Sequence, residues 1–364
     1  MCCCWFVITS STRDRAPERT LEVVEVEAPG EFAGILYPAD NPTTVDGLAL
    51  GRRLFYDPIL SVDSTISCAS CHLPERAFAD GQRFSRGVGG ILGNRNTPAL
   101  VNVGFNRSSL FLDGRADDLE KQALHPISAA HEMGGSWPEV LDKLRTHTVY
   151  GPALYRAFAL DNVDQIDSVH VGRALAQFQR SLISANSKYD RVKRGKATYT
   201  PAEELGHAIF FDLADDPADG YAGVPVGECA HCHAPPHFTN NRFFNNGLDE
   251  APDLSFSDLG RGAVTGNRYD NGLFRTPSLR NVELTAPYMH DGRLATLADV
   301  VDHYNSGGHY AENRNPNVLP LGLTADQRRG LVAFLQTLTD TSFVNRESRM
   351  ARTALPPFTR RPGD

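Results

Sequence analysis

Apolar residues recur at helical spacing in four stretches of this chain of 364 residues. In the stretches 48–55, 169–183, 205–210 and 325–338, side chains three or four positions apart are apolar. Other segments, such as 212–228, are rich in glycine, proline and aspartate and cannot continue a helix. The pattern predicts a mainly α-helical protein with long loops.

Four short blocks occur twice in the same order, which indicates an internal duplication. The pairs are GRRLFYD at 51–57 with GHAIFFD at 206–212, CASCH at 68–72 with CAHCH at 229–233, TPALVNV at 97–103 with TPSLRNV at 276–282, and DGR at 113–115 with DGR at 291–293. We expect two duplicated domains at 46–195 and 196–345, which meet near the polar linker 187–201. Residues 1–45 would form an N-terminal extension and 346–364 a tail.

Composition and charge narrow the class of protein. The hydrophobic content of 41% supports a sizeable core, and the formal net charge of −8 argues against a nucleic-acid partner. No apolar run approaches the roughly 18 residues of a membrane span. The start MCCCWFVITSS is short and lacks a basic region, so no intact signal peptide is visible. Cys2 to Cys4 could be the remnant of an export segment or result from a mis-assigned start, and we assign them no role.

The remaining four cysteines form two CxxCH strings, which are typical of covalent attachment of c-type haem. Cys68 and Cys71 would bond one porphyrin, and Cys229 and Cys232 the other. The adjacent histidines, His72 and His233, are then the proximal iron ligands. The alternative is a four-cysteine zinc site, which leaves the histidine in each string unexplained. We therefore expect two cytochrome c-like haem domains, and a periplasmic location, because bacterial proteins with covalent haem are exported.

At this point the chain resembles a known family. Two CxxCH blocks, RNTPAL at 95–100, DGRADDLEKQAL at 113–124 and TPSLRNVELTAPYMHDG at 276–292 are similar to the bacterial di-haem cytochrome c peroxidase and MauG superfamily over about residues 45 to 340. The resemblance implies an N-terminal haem where peroxide reacts, a C-terminal haem that handles electrons, and a calcium ion between them.

The two DGR blocks align without a gap, and this register pairs Pro126 with Tyr304 on the distal sides of the two haems. Proline cannot bind iron, so Pro126 would leave the first haem open to peroxide. Tyr304 lies where peroxidases of the family have methionine and MauG-like proteins have tyrosine, which favours the MauG-like branch. Methionine raises a haem potential, whereas a phenolate favours ferric or higher-valent iron. The alternatives are a packed core tyrosine at 304, or His303 as the ligand.

Cleavage of the peroxide O–O bond needs a side chain that takes a proton from one oxygen and returns it to the other. By resemblance Glu132 is this catalytic group and Gln122 accompanies it; His125 and His131 are alternatives. The resemblance also implies a calcium ion held by the Asn96 side chain. Its further calcium ligands would be the backbone carbonyls of Thr285 and Pro287.

Two positions depart from the family pattern. The family has a tryptophan between its haems where this chain has Leu112, and MauG has a surface tryptophan where this chain has Gly227. The only tryptophans here are Trp5 and Trp137. A relay through an indole at the first position is therefore absent, and a substrate other than that of MauG is implied.

The leading hypothesis is a di-haem oxidoreductase that reacts with hydrogen peroxide. Its electrons would come from a small cytochrome c or cupredoxin or, as in MauG, from side chains of a partner protein. The alternative is a non-catalytic di-haem electron-transfer cytochrome, in which both irons would be six-coordinate.

Overall fold

Helices supply most of the regular structure in this computed structural model, which describes residues 21–32, 34–106, 109–213 and 223–353. The helices are α1 Val45–Tyr56, α2 Leu119–Gln122, α3 His125–Ser128, α4 Trp137–Thr146, α5 Tyr150–Ala157, α6 Ser168–Arg180, α7 Lys188–Lys193, α8 Pro201–Phe210, α9 Gly262–Thr265, α10 Leu297–Ser306, α11 Ala325–Gln336 and α12 Thr341–Arg352. One short antiparallel pair joins β1 Phe243–Phe244 to β2 Phe274–Arg275. The predicted mainly α-helical fold with long loops is confirmed.

Side-chain caps explain where several of these helices begin. Thr200, Thr296 and Thr324 each accept a hydrogen bond from the backbone N–H three residues later, and the acidic or glutamine side chain at that position accepts one from the threonine N–H. Thr44 caps α1 through the backbone N–H of Gly47. Threonine followed by an apolar periodic stretch therefore sets the start of α1, α8, α10 and α11.

Repeated glycines let pairs of long helices cross at very short distance. A Cβ atom added at Gly51 of α1 would lie 1.8 Å from the carbonyl oxygen of Ala174 in α6. A Cβ atom added at Gly206 of α8 would lie 2.0 Å from the carbonyl oxygen of Gly330 in α11. Both contacts are far below van der Waals distance, so only glycine fits at these two crossings. Gly51 and Gly206 are the first residues of their aligned blocks. Both are glycine for the same reason, because each lets a second helix pack closely.

The two helix pairs belong to separate hydrophobic cores. The first core contains Leu50, Leu54 and Phe178 from α1 and α6, and the second contains Ile209, Phe210 and Phe334 from α8 and α11. Each core also packs against a cysteine of one CxxCH string, Cys68 in the first and Cys229 in the second. The predicted haem-attachment strings therefore lie at the surfaces of two distinct cores.

Two asparagines, one from each of the repeated blocks TPALVNV and TPSLRNV, form hydrogen bonds to the same serine. Asn102 and Asn281 both adopt the left-handed backbone conformation, with φ of 59° and 60°. Asn102 Nδ2 donates to the Ser184 carbonyl at 2.9 Å, and Asn281 Nδ2 donates to the Ser184 hydroxyl at 2.8 Å. These buried bonds tie both blocks to the segment that follows α6.

The predicted linker 187–201 is structured at its start. Ser187 and Asp190 form a capping box that begins α7. The Asp190 carboxylate then accepts two hydrogen bonds of 2.9 Å from the guanidinium of Arg280, and both side chains are buried. The partner lies 90 residues away in the chain, so local composition could not reveal this ion pair.

The C-terminal helix α12 returns to the first core. The ring of Phe343 lies 6.0 Å from that of Phe78, and Phe343 belongs to the first core. Residues after the second core thus cover the first one. In the described part of the chain, no helix combines the length and the apolar character that a membrane span requires.

Candidate functional site

Each CxxCH histidine is held by a backbone carbonyl of a nearby phenylalanine. His72 Nδ1 lies 2.7 Å from the Phe78 carbonyl oxygen, and His233 Nδ1 lies 3.1 Å from that of Phe238. A carbonyl oxygen only accepts, so Nδ1 carries the hydrogen in both rings and Nε2 presents its lone pair. This is the arrangement that orients a histidine for metal binding and makes it a better donor to the metal.

The two phenylalanines can aim their carbonyls because of an unusual backbone. Phe78 has a φ of 63° and Phe238 a φ of 53°, so both lie in the left-handed region. No motif points to either residue, although a phenylalanine does follow each CxxCH string, six residues after His72 and five after His233. The one-residue difference hid this signal in an ungapped comparison.

Burial keeps these histidines and cysteines in their neutral forms. Burial lowers the pKa of His72 and lowers that of His233 to about 4. Burial also raises the pKa of the Cys68 and Cys229 thiols to about 12. A neutral imidazole is the form that binds iron, and all four cysteines are free of disulfides. The donor set therefore suits two covalently attached haem groups.

The first cavity has a volume of about 530 Å³, and its lining includes Cys68, Cys71 and His72. Gln122, Pro126 and Glu132 line the same cavity, so the structure brings together all the residues predicted for the first haem site. His125, His131 and Met133 also reach this cavity. The volume lies within the usual range for cofactor sites, and the mixture of apolar walls and a few polar groups fits a haem.

Glu132 is placed by a tight turn. Its N–H donates to the Ala129 carbonyl at 2.9 Å, and its own carbonyl accepts from the Val88 N–H at 2.8 Å. Gly87 makes room for this contact, because an added Cβ there would lie 2.3 Å from the His131 carbonyl oxygen. Burial raises the pKa of Glu132 and outweighs the charges of His131 and Arg115, which lower it. A half-buried carboxyl with a raised pKa can hold and release a proton.

The second cavity has a volume of about 320 Å³ and contains Cys229, Cys232, His233 and Tyr304 in its lining. Asn246 Nδ2 donates to the Tyr304 hydroxyl at 3.5 Å and to Met289 Sδ at 3.3 Å. Burial raises the pKa of Tyr304, so the protein alone keeps the phenol protonated. Met289 also lines the cavity, and no sequence pattern points to it.

His303, the alternative ligand, has another partner. Its Nε2 donates to the Asn246 carbonyl oxygen at 3.0 Å, whereas its neighbour Tyr304 lines the second cavity. The two side chains thus diverge on α10, in the direction that the repeat register predicts. The role of Tyr304 as an iron ligand stays a prediction.

The residues predicted for calcium are all in the lining of the second cavity. Asn96, Thr285 and Pro287 all line it. Asn96 Nδ2 donates to the Gln82 carbonyl at 2.8 Å, which leaves its Oδ1 oxygen for a cation. Side-chain and backbone oxygens suit calcium, so the donor chemistry fits, and the site stays a prediction.

The two cavities share a wall formed by 96–99, Val103, Leu112 and Arg275. Leu112 therefore lies between the two candidate haem sites. Trp137 packs against the first core instead, and Trp5 lies outside the described residues. At Gly227 an added Cβ would lie 2.6 Å from the Ile209 carbonyl oxygen, so a tryptophan does not fit there in this backbone.

An aromatic stack lies beside this wall. Phe274 and His290 stack face to face, with ring centroids 3.8 Å apart, and the Arg95 guanidinium lies 5.6 Å from the Phe274 ring. Arg95 in turn binds Asp113 and Asp258 and lines the first cavity. The sequence offered no signal for this arrangement, because its members come from distant segments.

The chain is similar to several known di-haem proteins. The family model for di-haem cytochrome c peroxidase matches residues 46–198. Methylamine utilization protein MauG of Methylorubrum extorquens is 38% identical over 83% of this chain and 80% of its own length. Cytochrome-c peroxidase IdrP1 of Denitromonas iodatirespirans is 35% identical over 86% of each chain. The crystal structure of a MauG-like protein associated with microbial copper homeostasis is 34% identical, has a TM-score of 0.78, and matches 88% of this chain and 97% of that one.

Proposed function

Since the chain belongs to the di-haem cytochrome c peroxidase family, we propose that it reduces hydrogen peroxide at the first cavity with electrons delivered through the second. The family is one of peroxidases that bind two haem c groups, so the non-catalytic alternative is set aside. The proposal rests on which residues line the first cavity together. Glu132 and His72 line the same cavity. Pro126, which the repeat register pairs with Tyr304, also lines it and cannot bind iron.

The reaction consumes two protons and two electrons for each peroxide and releases two water molecules. Bound haem would supply the iron that binds peroxide and the capacity to pass on electrons, with His72 and His233 as proximal ligands. Glu132 would take the proton from the peroxide oxygen next to the iron and return it to the outer oxygen, which leaves as water. The raised pKa of Glu132 supports this role, because a carboxyl that titrates nearer neutral pH can both accept and return a proton.

Gln122 and Arg115 would assist Glu132. Both line the first cavity, and the charge of Arg115 is close enough to lower the pKa of Glu132. Arg115 is itself held by Asp113 at 2.9 Å. The Gln122 amide would hold peroxide by hydrogen bonds, and the paired arginine would limit how far the pKa of Glu132 rises.

Tyr304, together with His233, would hold the iron of the second haem. It lines that cavity, and Asn246 donates to its hydroxyl. The Tyr304 hydroxyl would lose its proton when it binds iron, because a bound cation favours the ionised form of its ligand. Met289 is the competing ligand on geometric grounds, and a thioether would raise the haem potential where a phenolate lowers it.

We place the enzyme in the periplasm, with haem domains at 46–195 and 196–345. The matched glycine crossings at Gly51 and Gly206 support the duplication, as do the matched asparagines Asn102 and Asn281. Calcium would bind at Asn96 and the carbonyls of Thr285 and Pro287. The electrons would come from a small cytochrome c or cupredoxin, or from side chains of a protein substrate other than that of MauG.

The test is the reaction of the all-ferric protein with peroxide, followed by stopped-flow absorption. We expect wild-type protein to react without prior reduction, and Glu132→Gln to keep both haem spectra while it slows the reaction by about two to four powers of ten. His131→Gln is the matched control, because His131 lines the same cavity beside Glu132 and is the alternative acid–base group. An unchanged rate in Glu132→Gln, with a slow reaction in His131→Gln, would transfer the acid–base role to His131.

A further inference from the structure

Arg275 is the one charged side chain in the wall that the two cavities share, within the ranges that the structure describes. It belongs to β2, and its backbone N–H donates to the Leu112 carbonyl at 2.7 Å. The residue therefore joins the strand pair of the second half to the segment that lines the first cavity. Any group that reaches this wall from either side meets its guanidinium.

The hydrogen bonds of this guanidinium go to neutral oxygens. Its Nε donates to the Phe111 carbonyl at 3.1 Å, and its Nη1 donates to Asn241 Oδ1 at 2.9 Å. No carboxylate oxygen of a described residue lies within 4.0 Å of it. The Nη2 amino group is left for a further acceptor, and the positive charge has no counter-ion among the described residues.

Two other arginines near the cavities differ from Arg275 because they have carboxylate partners. Arg95 binds both Asp113 and Asp258, and Arg115 binds Asp113. Both of these arginines line the first cavity, yet each has a carboxylate partner. Burial lowers the pKa of Arg275 to about 10, and no carboxylate opposes that effect. An unpaired, partly buried charge is destabilising, so we expect it to meet an anion in the complete protein.

A haem, the group proposed for each cavity, carries such an anion. A haem has two propionate carboxylates, and a guanidinium binds a carboxylate with short, charge-assisted hydrogen bonds. We propose that Arg275 binds a haem propionate at the shared wall and that its charge raises the midpoint potentials of the haems on both sides. The inference rests on the proposed function only in that each cavity must hold a haem.

The direction of the expected change in midpoint potential follows from electrostatics. A nearby positive charge disfavours the ferric state, which carries one more positive charge than the ferrous state, so its removal lowers the potential. A partly buried charge acts at an effective dielectric constant of about 20, and its loss should shift the equilibrium toward the ferric state by roughly tenfold. For a one-electron couple, a tenfold change corresponds to about 59 mV.

The experiment compares Arg275→Gln, Arg275→Lys and Arg115→Gln, each purified with its haem. Haem content is measured first, from the pyridine spectrum of denatured protein, so a failure of haem attachment is separated from a failure of this inference. Resonance Raman spectra then report the propionate bending modes, and spectroelectrochemistry reports both midpoint potentials. Arg115→Gln is the control, because Arg115 lines the first cavity only and already has a carboxylate partner.

We expect Arg275→Gln to shift a propionate mode and to lower the potentials, and Arg275→Lys to keep the potentials near those of wild type. Arg115→Gln should leave the second haem unchanged in both measurements. If Arg275→Gln does not load haem, the loaded Arg275→Lys protein must still show a shifted propionate mode, because an ammonium cannot reproduce the planar guanidinium bond. Unchanged propionate modes in a loaded Arg275 variant overturn the proposal, whatever the activity.

Discussion

Gly87→Ala should slow the peroxide reaction although it changes no charged or catalytic group. Gly87 has φ of −88° and ψ of −165°, values that alanine also adopts, so the backbone itself is not strained. The new Cβ would lie 2.3 Å from the His131 carbonyl oxygen and 2.5 Å from that of Glu132. To restore an ordinary contact of at least 3.4 Å, the turn that carries Glu132 has to retreat by about 1.1 Å, a misplacement that can cost about 100-fold in rate.

The assay is the stopped-flow reaction of ferric protein with peroxide, in both the wild-type and the Glu132→Gln backgrounds. Gly93→Ala is the matched control, because its Cβ would meet only the Ser85 carbonyl oxygen at an ordinary 3.7 Å. If Gly87→Ala acts through Glu132, it should add little to the effect of Glu132→Gln, since changes that act through one group are not additive. A wild-type rate in Gly87→Ala, or a full effect of about 100-fold in the Glu132→Gln background, would refute the reasoning.

Three further predictions concern the second haem, the cation site and the folded state. Tyr304→Met should raise the potential of the second haem, and an unchanged spectrum and potential in Tyr304→Phe would make Tyr304 a core aromatic only. Removal of calcium, verified by metal analysis, should change the coupling between the haems, and unchanged spectra and turnover would count against the site. Asp190→Asn should lower the free energy of unfolding by about 3 kcal/mol, measured by denaturant titration. Burial would raise the pKa of Asp190, but Arg280 outweighs it and keeps that pKa low; the cost should therefore be full at neutral pH and shrink as the pH falls below about 4.

The sequence predicted those parts of the fold that depend on local pattern. The helical stretches became α1, α6, α8 and α11, because apolar periodicity and threonine caps act within a few residues. The pattern did not predict α7 or α12. Asp190 in α7 is buried against Arg280, and Phe343 in α12 is buried against Phe78. Both partners are distant in the chain, so such contacts need the tertiary structure.

In the candidate site, too, local sequence predicts some of the residues and only the tertiary structure shows the others. The CxxCH strings are local, and the structure places His72 and His233 in two separate cavities as their repetition suggests. The groups that complete each cavity come from elsewhere: Asn246 contacts Tyr304 and Met289, and Arg275 reaches the shared wall. An asparagine, a methionine and an arginine in loops or short strands have many ordinary roles, so only their positions in space draw attention to them.

Pro126 and Tyr304 explain how two similar segments could serve different sites. Both follow a DGR turn and a helix cap, Asp118 in the first case and Thr296 in the second, at the same distance from their DGR blocks. After Thr296 the helix α10 runs on to Ser306 and presents Tyr304 to its cavity. After Asp118 the helix ends at Gln122, and Pro126, which has no N–H to continue it, lies in the separate turn of α3.

The proline thus accounts for two features of the first cavity. It removes a possible ligand at the position of Tyr304, and it leads into the turn in which the Met133 N–H donates to the Pro126 carbonyl at 3.1 Å. That turn delivers Glu132 to the cavity. Tyrosine at position 126 would restore a ligand type but not the helix, because the turn keeps its own hydrogen bonds, including that from the Gly135 N–H to the Ile127 carbonyl at 2.8 Å. The same local break in the helix therefore both removes a side chain that could bind iron and brings the Glu132 carboxyl to the cavity.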